Sequence, residues 1–307
     1  MVKKALLGQV GDTDIRLLRI FKAIVECGGL AAAELELNIG RSTISRHLKD
    51  LEERIGLDLC HRGRGGFALT PDGRQVYDAA ARLLAAMEDF RGEVRELHAE
   101  PVGTLSIGLF DKTVTNPQAR IAEALRHFRR DAPEALVDVL VGTPSDIEAG
   151  VIEGRIHVGV IPDHRRSDRL RYANLFGEQM RLYCGRRHPL FDMSHAGLSM
   201  NDLQDFDYAG LGFHSPNLEA SQRFHMRRKA TATDQEAVAS LVLSGCYVGF
   251  LPDHYAERFV DVGAMRRIEQ PQCRYEVQFV AISRLSPPPP RLALAFLKAL
   301  TQAHDGG

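Results

Sequence analysis

The chain of 307 residues lacks what would tie it to a membrane, a disulfide scaffold or a catalytic motif. No apolar run approaches the length that spans a bilayer. The opening, MVKKALLGQVGDTD, reaches acidic residues after a very short apolar stretch, unlike a secretory leader, so a cytoplasmic protein is expected. The five cysteines (Cys27, Cys60, Cys184, Cys246 and Cys273) are odd in number, scattered and without a CxxC pair. That argues against a disulfide framework or a zinc site and fits a reducing compartment. There is no G-x-S-x-G elbow, phosphate-binding loop, HExxH or dinucleotide fingerprint, and the histidines show no metal-ligand spacing. Neither enzymatic turnover nor a metal or other cofactor is expected. A large charge excess is also missing: the net charge is −1, so the chain as a whole is no polyelectrolyte binder.

What is present is concentrated in residues 35–73, which read as a short helix, a tight turn, a second helix and a basic glycine-rich hairpin. In the second helix, residues 41–55, Ile44, Leu48, Leu51 and Ile55 form one apolar stripe. Arg41, Ser42, Ser45, Arg46 and Lys49 fall on the other face, offering hydroxyls and long cations near the helix N-terminus, as a DNA major groove requires. The plainer alternative is a solvated surface helix; the turn before it and the hairpin after it favour DNA. Residues 1–70 hold eleven Lys or Arg and nine Asp or Glu. The placement of the cations matters more than this small excess, because Asp50, Glu52, Glu53 and Asp58 follow the groove-facing positions.

Before this unit, residues 14–27 predict a helix capped by Asp14, with Ile15, Leu18, Phe21, Ala23 and Val25 as its apolar surface. After it, Thr70-Pro71 starts a helix over 71–99, whose Tyr77, Ala80, Leu84, Met87, Val94 and Leu97 follow near-heptad spacing. Such a seam suits pairing with a second copy, or packing against the chain's own domain. Beyond Pro101 the pattern alternates between strand and helix. TLSIGLF, ALVDVLVG, IHVGVI, QMRLYCG, DYAGLG, YVGFL and RYEVQFVAIS read as strands, and 118–130, 145–153, 217–228, 234–244 and 291–304 as helices. The expected fold is α/β with an N-terminal winged helix-turn-helix (1–70), a long linker and dimerisation helix (71–100) and an α/β ligand-binding domain (101–307).

These residues resemble the LysR-type transcriptional regulators over nearly the whole chain. The likeness rests on Gly28-Gly29-Leu30, on the run from Leu37 to Leu48, on Leu51-Glu52 and Ile55-Gly56, on Leu59-Cys60-His61-Arg62, and on Leu69-Thr70-Pro71-Asp72-Gly73. Four positions depart from the family pattern. Gly40 replaces a serine or threonine cap, Arg41 a glutamine, Glu34 a small alanine and Cys60 a phenylalanine. Operator preference is therefore the least transferable property.

The resemblance implies that Arg41, Ser42, Thr43, Ser45 and Arg46 meet the major groove, with Arg41 reading bases and Ser45 and Arg46 positioning the helix on phosphates. Arg62 or Arg64 in the wing would reach the backbone or a minor groove. It also implies a two-lobed effector domain similar to periplasmic binding proteins, lobe one being 102–168 with 274–307 and lobe two 169–273. The effector would sit between the lobes near Phe110, Asp111, Lys112, Thr113, Thr115, Asn116, Thr143, Ser145, Ile161, Pro162, Phe213, His214, Ser215, Thr233 and Asp234. Several of these side chains could instead cap helices. Lys112 or His214 would suit a small organic acid, whereas Asp111 leaves a polar or cationic effector open. The expected partners are double-stranded DNA with an inverted-repeat operator, a small-molecule effector, a homodimer or homotetramer, and RNA polymerase, with no membrane. Thiol-based redox sensing is the alternative, although Cys184 and Cys246 read as buried packing residues.

Overall fold

The computed structural model describes residues 8–63, 66–96, 103–195, 198–271 and 273–305. The chain divides into two compact units, Met1–Arg91 and Gly92–Gly307. The first begins with helices α1 (Asp12–Glu26), α2 (Leu30–Leu37) and α3 (Arg41–Ile55). A two-stranded antiparallel hairpin follows, β1 (Cys60–Gly63) with β2 (Gly66–Leu69), and then helix α4 (Pro71–Glu96). Residues 97–99 of the expected long helix lie outside the described residues.

The core of this unit is Leu17, Ile20, Phe21 and Ile24 of α1 packed on Ile44, Leu48 and Leu51 of α3, with Ala33, Leu59 and Cys60 closing it. The α3 stripe is the expected one, except that Ile55 is only partly buried. The α1 face differs from expectation. Its buried residues repeat at the helical spacing 17, 20, 21, 24, while Ile15, Leu18, Ala23 and Val25 flank that stripe. Asp14 is not the cap either: Gly11 is, and Asp14 sits one turn inside. Its carboxylate accepts from Gly11 N at 2.9 Å and from Arg54 Nε and Nη2 at 2.5 and 3.1 Å. The Arg54 guanidinium holds the Asp14 carboxyl below the usual carboxylate range.

The junction between hairpin and α4 explains the sequence Leu69-Thr70-Pro71-Asp72-Gly73. Thr70 Oγ1 accepts from Gly73 N at 2.8 Å and donates to Asp58 O at 2.8 Å, so one hydroxyl caps α4 and ties it to the strand lead. Pro71 takes the first helical position, where no amide is needed. Replacing Thr70 with alanine removes both bonds at a buried position and should cost the DNA-binding unit about 1–2 kcal/mol. A denaturant melt followed by circular dichroism would show it, and an unchanged midpoint would refute the capping role.

In the second unit, β3 (Thr104–Leu109), α5 (Ile121–Asp131), β4 (Leu136–Val141), α6 (Pro144–Glu153) and β5 (Val158–Pro162) form a parallel β/α layer. Then come the long strand β6 (Leu170–Gly185), α7 (Met200–Leu203), β7 (Asp207–Leu211), α8 (Pro216–Arg223), β8 (Arg227–Ala232), α9 (Gln235–Leu243) and β9 (Val248–Pro252). The unit ends with α10 (Asp253–Asp261), β10 (Met265–Arg267), β11 (Arg274–Arg284) and α11 (Arg291–Asp305). Among the described residues the strand order is β4-β3-β5-β11-β6-β9-β7-β8, with β10 on β6.

Two long strands join the lobes. Leu170–Asn174 of β6 pairs with 280–284 of β11, beside β5; 177–181 pairs with 274–278, beside β9. The register of β11 shifts between Gln278 and Val280. The chain therefore passes from lobe to lobe within these strands, and no boundary at 168 or 273 separates them cleanly. The inner strands β5 and β9 are buried at every position, as strands covered on both faces must be. Gly159 of β5 is required by that packing: a methyl group there would lie 2.6 Å from Ile147 and 2.7 Å from Ile282.

One expected element ends differently, and two further elements have no counterpart in the sequence reading. The helix over 217–228 stops at Arg223, and RRKATA forms β8, because His225 turns the chain at φ 53° and β8 pairs with β7. The first half of β6, LRYANLFGE, carries charges that obscure alternation, yet its ladder with β11 holds it extended. Helix α10 follows β9 after a single proline and has no apolar run of its own; Tyr255 and Ala256 are its buried residues.

Candidate functional site

The DNA-facing candidates occupy the first two turns of α3. Arg41, Ser42 and Arg46 are exposed, and Thr43 and Ser45 half-buried, on the side away from Ile44 and Leu48. The cap residue Gly40 supplies no side-chain acceptor. Thr43 N and Ile44 N bond to Gly40 O at 2.9 and 3.1 Å, and the preceding amides point out of the helix start. A helix start of this kind, with two arginines beside it, suits a phosphate. Arg62 lies on β1 opposite Phe67. Arg64, at the hairpin tip, lies outside the described residues.

In the second unit the segment after β3 crosses to the other lobe through four contacts. Asp111 Oδ2 accepts from Gln235 N, in the first turn of α9, at 2.7 Å. Lys112 Nζ donates to Glu236 Oε2 at 2.9 Å and lies 5.2 Å from the centre of the Tyr255 ring. Thr115 Oγ1 meets His254 Nδ1 at 2.8 Å. Phe110 meets Phe213 edge to face at 6.4 Å. A fifth contact joins His164, after β5, to His214, before α8, with ring centroids 5.7 Å apart. Of the expected effector residues, Phe110, Asp111, Lys112, Thr115, Phe213 and His214 thus come together at the lobe junction.

The others have local roles or sit apart. Asn116 donates to Gly177 O on the crossover strand at 3.2 Å and accepts from Gln118 N. Thr143, Ser215 and Asp234 cap α6, α8 and α9. Ser145 and Thr233 are exposed, and Thr113, Ile161 and Pro162 are buried. Lys112, one basis for an acid effector, is already paired with Glu236.

Several residues of the junction escaped the sequence reading, among them His254 and Glu178. His254 Nε2 contacts Glu178 Oε2 on β6 at 2.9 Å, with both side chains almost wholly buried. Thr115 Oγ1 also lies 2.9 Å from Lys112 O, so its hydroxyl links the 112–115 turn to the His254 ring. Burial pushes the Glu178 carboxyl up, an effect that His254 beside it partly offsets. An acid inside a β run and a Pro-Asp pair after YVGFL were the available signals.

A cavity of about 840 Å³ opens next to this latch, lined by Asn116, Gln118, Glu178, Tyr183, His254 and Arg266 among others. Asn116 is the one expected effector residue on its wall. Phe110, Asp111, Lys112, Thr115, Phe213 and His214 are absent from its lining and meet beside it at the lobe junction. The wall carries Glu178, Asp253, Glu257, Asp261, Glu269 and Glu276 against Arg266, Arg267 and His254, and is predominantly acidic.

Among the cysteines, Cys184 and Cys273 are buried and their thiols are pushed up to about 12 and about 11, which disfavours the thiolate. Cys246 is exposed, contrary to its reading as buried packing, because it lies in the turn before β9. Among the described residues there is no group of His, Cys, Asp and Glu able to hold a metal ion, and no helix long and apolar enough to cross a membrane.

A helix-turn-helix unit with an exposed basic recognition helix, joined to a two-lobed α/β domain, defines a DNA-binding regulator with a sensor domain. A model of the bacterial regulatory helix-turn-helix of the lysR family matches residues 15–74, and a model of the LysR substrate binding domain matches 98–305. The chain belongs to the LysR family of transcriptional regulators and is not an enzyme. It is 41% identical over 294 residues to the HTH-type transcriptional activator BauR of Pseudomonas aeruginosa, covering 96% of each chain. It is 27% identical to the uncharacterized regulator YnfL of Escherichia coli, with 78% of this chain and 82% of that one covered. The fold also matches full-length CbnR, solved with its target DNA, at a TM-score of 0.65 and 23% identity, covering 94% of this chain and 99% of CbnR.

Proposed function

We propose that the protein acts in the cytoplasm as a homodimer or homotetramer on an inverted-repeat operator, contacts RNA polymerase, and responds to a small organic acid held between its lobes. The observation that carries this reading is the lobe junction itself. The segment 110–115 of one lobe meets the starts of α8, α9 and α10 of the other, so a ligand there changes how the lobes engage. His214, half exposed and facing His164 across the junction, is the group that meets the acid, in exchange for the exposed Glu219 carboxylate 3.6 Å from its Nε2. Oligomerisation is supported by apolar side chains left in solvent, Leu83 and Phe90 on α4 and Leu136, Val139 and Val141 on the edge strand β4.

On DNA, Arg41, Ser42, Thr43, Ser45 and Arg46 enter the major groove, and Arg62 or Arg64 of the wing reaches the backbone or an adjacent minor groove. Arg41→Ala should cost about 1–3 kcal/mol of operator binding and relax specificity at one base position. Gel shifts on a panel of operator variants test this, and a uniform loss across the panel would instead assign Arg41 to phosphate. For the sensor, calorimetric titration with short carboxylates against their neutral amides tests the acid, with His214→Ala weakening the carboxylates alone. Equal binding of acids and amides would exclude an acid effector.

A further inference from the structure

Two buried acceptors at the lobe junction have no hydrogen-bond partner in the protein. One is Asp111 Oδ1, on a residue 7% exposed; the other is Gln235 Oε1, on a residue 2% exposed. They belong to opposite lobes and are brought together by the 2.7 Å bond from Gln235 N to Asp111 Oδ2. That bond also settles the sign of the site. The start of a helix attracts an anion, and at α9 this attraction is already met by the protein's own Asp111 carboxylate. An incoming carboxylate would find the position taken and a negative charge in front of it. What the two orphaned oxygens require is a donor, and a buried carboxylate oxygen is best satisfied by a donor that carries positive charge.

The surroundings point the same way. Lys112, the nearest cation, is turned to Glu236, and Asp234 and Glu178 add negative charge around Asp111. The adjoining cavity wall is predominantly acidic as well. Asp111 follows Phe110 and His214 follows Phe213, so the Phe110–Phe213 contact joins the segments that carry this acid and this imidazole.

We infer that the effector carries a primary ammonium group, bound by Asp111 Oδ1 and Gln235 Oε1, in addition to the carboxylate that His214 meets. This rests on the proposed acid effector and narrows it to an amino-substituted organic acid. An ammonium has three donors, enough for an acceptor from each lobe.

The test is a titration of the full chain with alanine, 4-aminobutanoate and 6-aminohexanoate. Each is compared with its desamino acid and its N-trimethylated form, and butylamine is included. At least one amino acid should bind about tenfold or more tightly than its desamino acid, as expected of one charge-assisted hydrogen bond. The trimethylated form keeps the charge but has no N–H, and should bind no better than the desamino acid. Asp111→Asn should remove the preference for the amine, whereas Glu257→Gln, on the neighbouring cavity wall, should keep it. Desamino acids binding as well as amino acids would overturn the ammonium while leaving an acid effector in place. Butylamine binding as well as the amino acids would uphold the ammonium and overturn the acid. Failure of every amine in the series to bind would overturn the inference.

Discussion

Gly73→Ala should unfold the DNA-binding unit, or destabilise it by about 3 kcal/mol or more, the upper end of what overpacking costs. A methyl group at Gly73 would stand 1.9 Å from Leu59 O and 2.8 Å from its carbonyl carbon. Neither side can yield cheaply. Leu59 N is held by Glu52 Oε1 at 2.9 Å, and Leu59 O accepts from Thr70 N at 3.0 Å. Gly73 N is fixed on Thr70 Oγ1. With total stabilities of about 5–15 kcal/mol for a domain, such a loss should abolish operator binding at physiological temperature. Gly40→Ala is the control: its added carbon meets nothing within 4 Å, its φ of −63° is ordinary, and its cost should stay below about 1 kcal/mol. Denaturant melts of both variants decide the point. A Gly73→Ala midpoint equal to that of the parent would show that the α4 start is not seated on Leu59.

The DNA-binding unit was legible because its periodicity is local. Ile44, Leu48 and Leu51 recur at helical spacing inside one helix, and Gly56 stops it in the left-handed conformation that glycine favours. The α1 face was read less well, since α1 has apolar residues on more than one side and its partner helix decides which are buried. Asp14 was mistaken for a cap because an acid near a helix start does either job. The distant Arg54, forty residues on, is what makes it an ion-pair partner.

The lobe junction was partly legible. Strand-to-helix turns mark the ends of β3, β7 and β9 in the sequence, and the segment 110–116 was found that way. What these side chains touch could not be read, because each contact spans a long separation. Lys112–Glu236 and Asp111–Gln235 each join residues 124 apart, and Thr115–His254 joins residues 139 apart. Glu178 lies inside a strand, and His254, just past the turn that ends β9, has no local sign of its partner. An isolated histidine on a polar helix and an acid within a strand gain meaning only when folding brings them to 2.9 Å.

Asp111→Asn should make the sensor domain more stable near neutral pH and leave it unchanged near pH 4. Burial raises the Asp111 carboxyl from 3.8 to about 6, against the bond from Gln235 and the Lys112 charge, which lower it, and with Asp234 and Glu178, which raise it further. The sign follows from proton counting. Between these two values the folded chain holds a proton that the unfolded chain has released, so stability falls as pH rises through the window and levels off above it. A shift of this size corresponds to about 3 kcal/mol, an upper bound for the gain in the asparagine variant. Asparagine keeps the acceptor for Gln235 N, so the lobe contact survives without the charge. Glu178 is also raised by burial and contributes in the same direction in both proteins. The difference between the two melting curves, followed from pH 4 to pH 7, reports the Asp111 charge together with its coupling to Glu178. A difference that stays constant across that range would mean that Asp111 is ionised throughout. The same variant takes away the charge proposed to hold an ammonium, so it should gain stability in the ligand-free protein and lose the added stability that an amino-acid ligand provides. One buried carboxylate would then account for both a cost in the free sensor and the selectivity of the occupied one.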